Sequence, residues 1–183
     1  MNRKIQQHEL KSAKTIKSVF MDMLKEQSLE SIRVVDICSK AHLNRSSFYD
    51  SFSSIDDLFL RIQRDFIDGM KDLLVDYGSA IGSTEEERAN RIIPILDYFK
   101  ENKDTFLLFI ATNDSDLLTT NLVAYLKQFI IEQIDEETDY LLTYNIMGGL
   151  STVAYWLMNG MPIDEKKLAY ICTPTINSNL IKK

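Results

Sequence analysis

Between Asp139 and Asp164 the chain carries no charged residue: "YLLTYNIMGGLSTVAYWLMNGMPI", from Tyr140 to Ile163, is 24 residues long. A run of that length either spans a bilayer as a helix or is buried on more than one side in a folded protein. Its flanks decide between the two. "EETD" before it and "DEKK" after it are acidic or mixed, without the Lys and Arg bias that orients a membrane segment. Asn145, Gly148, Gly149, Ser151, Thr152 and Asn159 also interrupt the apolar run. The expectation is a helix covered on one side by its own core and on the other by a second copy of the chain, with no membrane span. Gly148 and Gly149 destabilise a helix by about 1 kcal/mol each relative to Ala, which close approach of another helix can offset. The chain then turns at "NGMPI", where Gly160 stops one helix and Asp164 caps the next, expected to run to about Ile176. Two such hairpins about a two-fold axis would make a four-helix bundle.

Elsewhere only three prolines and six glycines interrupt 183 residues, 45% of them apolar, so the chain can bury a sizeable core. This composition predicts an all-α fold, and the periodicity resolves it into about nine helices. Ala13, Ile16, Phe20, Met23 and Leu24 set a first helix over about 7–26, with Lys11, Lys14 and Lys17 outside the stripe. Phe59, Ile62, Phe66, Met70, Leu73 and Tyr77 predict one long helix from Ile55 to Gly78. Further on, "GSTEEERANRIIPILDYFKEN" is a helix capped by Ser83, with acidic residues in its first turn and a kink at Pro94. "KDTFLLFIATN" is a short apolar helix, Ser115 to Glu132 another through Leu118, Leu122, Tyr125 and Phe129, and "QIDEETD" over 133–139 an acidic loop.

The region before the long helix is organised differently. "SIRVVDICSKA" places Val34, Ile37, Cys38 and Ala41 on one face of a helix of about eight residues. A break follows at His42, a residue type that tolerates positive φ. Asn44 then caps a second short helix whose Phe48 and Phe52 face inward. Two short helices joined by a tight turn make a helix-turn-helix, whose second helix enters a DNA major groove when its outer face is small, polar and basic. Arg45, Ser46 and Ser51 fit that face, and Tyr49 can lay its hydroxyl against a phosphate.

Charge is distributed to match. Residues 1–64 hold 11 Lys or Arg against 8 Asp or Glu, whereas residues 65–183 hold 10 against 19. Only the basic head is suited to a polyanion. Cys38 and Cys172 lack zinc or redox spacing and read as buried small hydrophobes. The two histidines, His8 and His42, both fall in the head, and there is no glycine-rich phosphate loop or H-E-x-x-H, so neither an enzyme, a metal site nor a cofactor is expected. "MNRKIQQHELKSAK" has no apolar run of a secretory signal, which points to the cytoplasm. A protein-interaction module without DNA binding stays open as the alternative.

"SIRVVDICSKAHLNRSSFYDSFSSIDDLF" resembles the DNA-binding head of the tetracycline-repressor (TetR) family of transcriptional regulators, whose usual form is I-T-V-x-D-I-A-x-x-A-G-V-S-x-x-T-F-Y-x-H-F-x-S-K-E-E-L. Ile32, Val34, Asp36, Ile37, Ala41, Phe48, Tyr49, Phe52, Ser54, Asp57 and Leu58 fall in register. "YNIMGGLSTVAYWLMNGMPIDEKKLA" is similar to a C-terminal type found in Gram-positive members. The resemblance implies an all-α homodimer, a repressor in the usual case, with a helix-turn-helix head over 1–54 and a regulatory and dimerisation body over 55–183. It also implies a double-stranded DNA operator with inverted-repeat symmetry and an effector, small molecule or protein, acting on the body. The DNA-facing candidates are Arg33, Asn44, Arg45, Ser46, Ser47, Tyr49, Asp50 and Ser51.

Four positions depart from the pattern: Arg33 stands for a capping Thr, His42 for the turn Gly, Ser51 for a His that often meets phosphate, and Ile55 for a Lys. Asp50 adds a negative charge that phosphate repels unless it accepts from a cytosine amine. Modest affinity is expected, with Arg33, Arg45 and the Lys11, Lys14, Lys17 face compensating. For the effector, Phe66, Met70, Tyr77, Phe99, Phe106, Phe109, Tyr125 and Phe129 are candidates for a pocket wall, although an aromatic stripe at helical spacing equally describes ordinary core. Dimerisation through the last two helices assigns Tyr144, Met147, Gly148, Ser151, Tyr155 and Ile171 to the interface.

Overall fold

The computed structural model describes residues 3–80, 83–112, 124 and 136–173. All regular structure among them is helical: α1 (Arg3–Leu24), a 3-10 turn (Leu29–Ser31), α2 (Val34–Ala41), α3 (Arg45–Tyr49), α4 (Ile55–Gly69), α5 (Lys71–Ser79), α6 (Glu85–Glu101), α7 (Lys103–Ala111), α8 (Glu136–Met158) and α9 (Glu165–Cys172). The expected helix over 115–132, and the stretch after 173, lie outside the described residues. The chain divides into two compact units, Met1–Phe66 and Ile67–Lys183.

In the first unit α1 packs on α2 and α3. Ile16, Phe20, Met23, Ile37, Phe48, Phe52, Leu58 and Phe59 form its core, with Phe20 meeting Phe59 edge-on at 6.0 Å between ring centroids. Aromatic pairs in this geometry add stabilisation beyond their buried area. α4 begins with a reciprocal cap: the Ser54 hydroxyl accepts from the Asp57 amide at 3.1 Å, and the Asp57 carboxylate accepts from the Ser53 amide at 2.8 Å. The Ser53 bond is the main reason the Asp57 carboxyl is held below its usual range. Ile55 thus opens the helix without a charged side chain, because the cap is made by its neighbours.

Gln63 is the exception in this stripe. It lies among buried apolar residues of α4 at 0% exposure, and neither its carboxamide nitrogen nor its oxygen has a hydrogen-bond partner.

The expected single helix from Ile55 to Gly78 is broken at Met70 (φ −106°, ψ 6°). The Met70 amide bonds the Ile67 carbonyl one residue short of helical register, and the ladder restarts with the Leu74 amide on the Met70 carbonyl at 3.0 Å. Gly69 stands directly before the break. Without a Cβ it admits the Tyr98 phenol against the α4 backbone, where any larger residue would overlap it. The break also shifts the buried stripe: Leu74 is buried and Leu73 only half-buried.

In the second unit α9 packs on α6, α5 on α6, and α7 and α9 on α8. α6 is capped by Thr84 and not by Ser83: the Thr84 hydroxyl accepts from the Glu87 amide at 3.2 Å while the Glu87 carboxylate accepts from the Thr84 amide. The helix continues through Pro94. α8 begins at Glu136, so the last four residues of the expected acidic loop are helical. Glu136, Glu137 and Asp139 occupy its first turn, where the helix dipole favours carboxylates. It ends at Met158, and the chain reverses at the expected stop, Gly160 (φ 76°), with Met161 (φ 59°) following in the same left-handed region. The Trp156 indole then donates to the Ile163 carbonyl at 2.8 Å, and Asp164 caps α9 by accepting from the Lys167 amide at 2.8 Å. No helix of the described residues is long and apolar enough to cross a membrane.

Candidate nucleic-acid interface

The turn between α2 and α3 is fixed by backbone bonding. His42 is left-handed (φ 53°, ψ 41°), its amide bonds the Ser39 carbonyl at 3.2 Å, and the Leu43 amide reaches back to the Cys38 carbonyl at 2.9 Å. This is a Schellman closure, which ordinarily uses glycine at the left-handed position. Arg33 precedes α2 in extended conformation but supplies no side-chain cap, as a guanidinium has no acceptor. Asn44 holds the N-cap position of α3 without a side-chain bond, and its carbonyl accepts from the Ser47 amide at 3.0 Å.

α3 is only five residues long, so packing must hold it. Phe48 is fully buried and meets Tyr49 at 5.5 Å and Phe52 at 5.7 Å between centroids. The Phe52 and Asp50 amides continue onto the Phe48 and Ser46 carbonyls, both at 2.8 Å, carrying the coil past the formal helix end. With Phe48 inward, Arg45, Ser46, Tyr49 and Asp50 are exposed, Tyr49 at 54%. Asn44 and Arg33 are exposed as well, and Ser47 and Ser51 are half-buried. The structure therefore brings Arg45, Ser46, Tyr49 and Asp50 to one convex face.

The cations divide into two groups. Lys17 pairs with Asp65, Lys40 with Glu26 at 3.5 Å, and Arg61 with Asp57 at 3.3 Å while lying over the Phe52 ring. Lys11, Lys14, Arg33 and Arg45 form no ion pair among the described residues. Lys17 is therefore tied to α4, and the expected compensating face is reduced to Lys11 and Lys14. Burial raises the Cys38 thiol, with Arg45 opposing, which leaves it inert.

The body candidates separate by burial. Met70, Phe99, Phe106 and Phe109 are core residues of the second unit, with Phe99 and Phe106 tilted at 4.5 Å, and Phe66 is buried in the first. Tyr77 is half-buried, and desolvation pushes its hydroxyl up to about 12. Tyr125 and Phe129 lie outside the described residues.

The six interface candidates instead are all exposed, including Tyr144 at 75% and Tyr155 at 67%. Tyr144, Met147, Gly148, Ser151 and Ile171 line one open groove of about 450 Å³ between α8 and α9. Asn145, Gly149, Thr152 and Cys172 complete that groove, and Tyr140 and Met158 extend its apolar face along α8. Sequence reasoning passed over these, although Tyr140, Tyr144, Met147, Ser151, Tyr155 and Met158 follow one three-and-four spacing. A Cβ built on Gly148 or Gly149 would meet nothing within 4 Å, so nothing among the described residues requires glycine there.

Over residues 86–178 the chain matches the family described as transcriptional regulator C-terminal region, TetR_C_8. No curated protein matches it. Among solved structures it is similar to a TetR transcriptional regulator from Streptococcus agalactiae 2603V, at 20% identity and TM-score 0.67, over 94% of this chain and 97% of that one. A tetR-family transcriptional regulator from Streptomyces coelicolor aligns at 16% identity and TM-score 0.60, covering 89% and 77%. The dihydroxyacetone kinase operon activator DhaS aligns at 19% identity and TM-score 0.54, covering 88% and 91%. At these identities the likeness is one of fold.

Proposed function

This chain belongs to the TetR-type transcriptional regulators, and from that premise we propose that it is a homodimeric repressor that binds an inverted-repeat operator through α3. The observation that carries the reading is the exposed Arg45, Ser46, Tyr49 and Asp50 face, held rigid by Phe48 and Phe52. Arg45 offers a planar donor fork for a guanine edge or a phosphate, Ser46 a donor or acceptor, and Tyr49 a hydroxyl for the backbone. Arg33, Asn44, Ser47 and Ser51 flank that face. The functional head is residues 1–54, and the body from 55 onward, of a type found in Gram-positive regulators, receives an effector in the cytoplasm.

Homodimerisation rests on the α8–α9 face. A groove floored by two glycines that none of the described residues approaches fits a second helix packed against them. Tyr144, Met147, Ser151, Tyr155 and Ile171 would then be buried against the partner, and two-fold symmetry would set the operator's symmetry.

Selection of bound fragments from genomic DNA by the purified protein tests the proposal, followed by a salt titration on the enriched site. Affinity should fall steeply with salt, and Arg45→Ala or Tyr49→Ala should weaken binding at least tenfold. Unchanged binding by both variants would refute the assignment. Engagement of Lys17, Lys40 and Arg61 in internal pairs gives some support to a second reading, an interaction module without DNA binding; no enrichment of any fragment would favour it. A reporter assay has to read both signs, since one protein of this fold is described as an activator.

A further inference from the structure

Asp50 is where the exposed face departs furthest from a surface built for phosphate. It follows α3 directly, exposed, with its amide on the Ser46 carbonyl. Its carboxylate has no hydrogen-bond or ion-pair partner among the described residues. Arg45 is also unpaired, so the two charges do not neutralise one another. Three other cations of this unit are engaged in pairs of their own, Lys17 with Asp65, Lys40 with Glu26 and Arg61 with Asp57. Ser46 and Asp50, four residues apart, share one side of the face, and Arg45 and Tyr49 share the other.

A bare carboxylate brought into the major groove meets mostly acceptors: guanine N7 and O6, thymine O4, and the phosphates on either side. Only two base edges offer it a donor. Adenine's amine sits beside the N7 acceptor, which repels the second carboxylate oxygen, whereas cytosine presents its N4 amine with no acceptor next to it in the groove. Resting on the DNA-binding function above, we propose that Asp50 is a specificity determinant that selects cytosine, and hence a G·C pair, at one position of each half-site. Its charge also weakens binding wherever that cytosine is missing.

The full-length protein, Asp50→Ala and Asp50→Asn are each used to select duplexes from a random library. Dissociation constants are then measured at one salt concentration on the enriched site and on a duplex changed from C·G to T·A at the selected position. The wild type should enrich cytosine at one symmetric position and lose on the order of tenfold in affinity when it is replaced. In Asp50→Ala that loss should shrink to about threefold or less, while affinity for unrelated DNA rises. Asp50→Asn, isosteric and uncharged, should move the preference toward adenine, whose N6 and N7 match a carboxamide. If both variants bind every duplex more tightly with the enriched sequence unchanged, Asp50 only repels phosphate and the assignment is overturned. A wild type that enriches nothing overturns the DNA-binding function itself, and is distinguished by its own arm of the experiment.

Discussion

Replacing Gln63 with methionine should stabilise the protein. The side chain is fully buried in α4, and both ends of its carboxamide lack partners. A buried polar group left without its hydrogen bond costs about 1–3 kcal/mol, and here donor and acceptor are both orphaned. Methionine keeps the length and the unbranched shape while removing both groups, so no cavity opens and little repacking is required. After allowance for partial relief by local motion, the expected gain is about 1–3 kcal/mol. For a chain of this size each kcal/mol raises the melting midpoint by about 2–4 °C. Urea unfolding followed by circular dichroism at matched concentration gives the gain directly, provided the transition slope is unchanged. Gln63→Glu supplies the opposite case. With no partner its carboxyl would titrate above the unfolded value near 4.3, so stability would be intact below that value and fall as pH rises through the folded one. A Gln63→Met protein less stable than wild type by about 1 kcal/mol or more would refute the reasoning, because the carboxamide must then be hydrogen-bonded in solution.

Other perturbations reach other parts of the molecule. His42→Gly should add about 1 kcal/mol in thermal unfolding, since glycine adopts the left-handed conformation at φ 53° without a Cβ clash. In the proposed dimer, Tyr155→Arg or Gly148→Leu should give a monomer in light scattering after size exclusion, while either variant remaining dimeric would remove the α8–α9 face as the interface. Cys172 is pushed up to about 11 by burial within its own chain, so at pH 8 it should alkylate on the order of a hundredfold more slowly than an ordinary thiol. Tyr77 has its hydroxyl raised from 10.0 to about 12, so its contribution is intact below pH 10 and lost as pH rises toward 12. That loss, about 2 kcal/mol, should be absent from the alkaline unfolding curve of Tyr77→Phe.

How far the sequence could be read depended on the range of the interaction. The α2–turn–α3 unit was legible because its signals are local: a stripe through Ile37 and Cys38, a residue tolerant of positive φ at 42, and two phenylalanines four apart. The exposed side of α8 was legible for the same reason. Thr84 as the α6 cap was not separable from Ser83 by spacing, since Glu86 stands three residues after Ser83 as Glu87 does after Thr84. The break at Met70 was hidden, because apolar residues continue through it at helical spacing, and so was the Tyr98 contact beside it at Gly69, whose partner lies 29 residues away. The engagement of Lys17 was hidden likewise, its partner Asp65 being 48 positions distant. Whether the body's aromatics line a cavity or fill a core turns on packing, which periodicity does not encode, and the structure buries Phe99, Phe106 and Phe109.

The internal pairing of Lys17, Lys40 and Arg61 bears on how such a regulator would find its site. Each phosphate contact that a protein forgoes removes nearly one unit from the slope of log affinity against log salt and shortens its stay on random sequence. With Lys17, Lys40 and Arg61 engaged in internal pairs and an unneutralised Asp50, a chain like this one would spend little time sliding along DNA. It would sample the genome by repeated short encounters in solution, so occupancy of its operator would follow protein copy number closely, and modest changes in its synthesis would be felt as changes in gene expression.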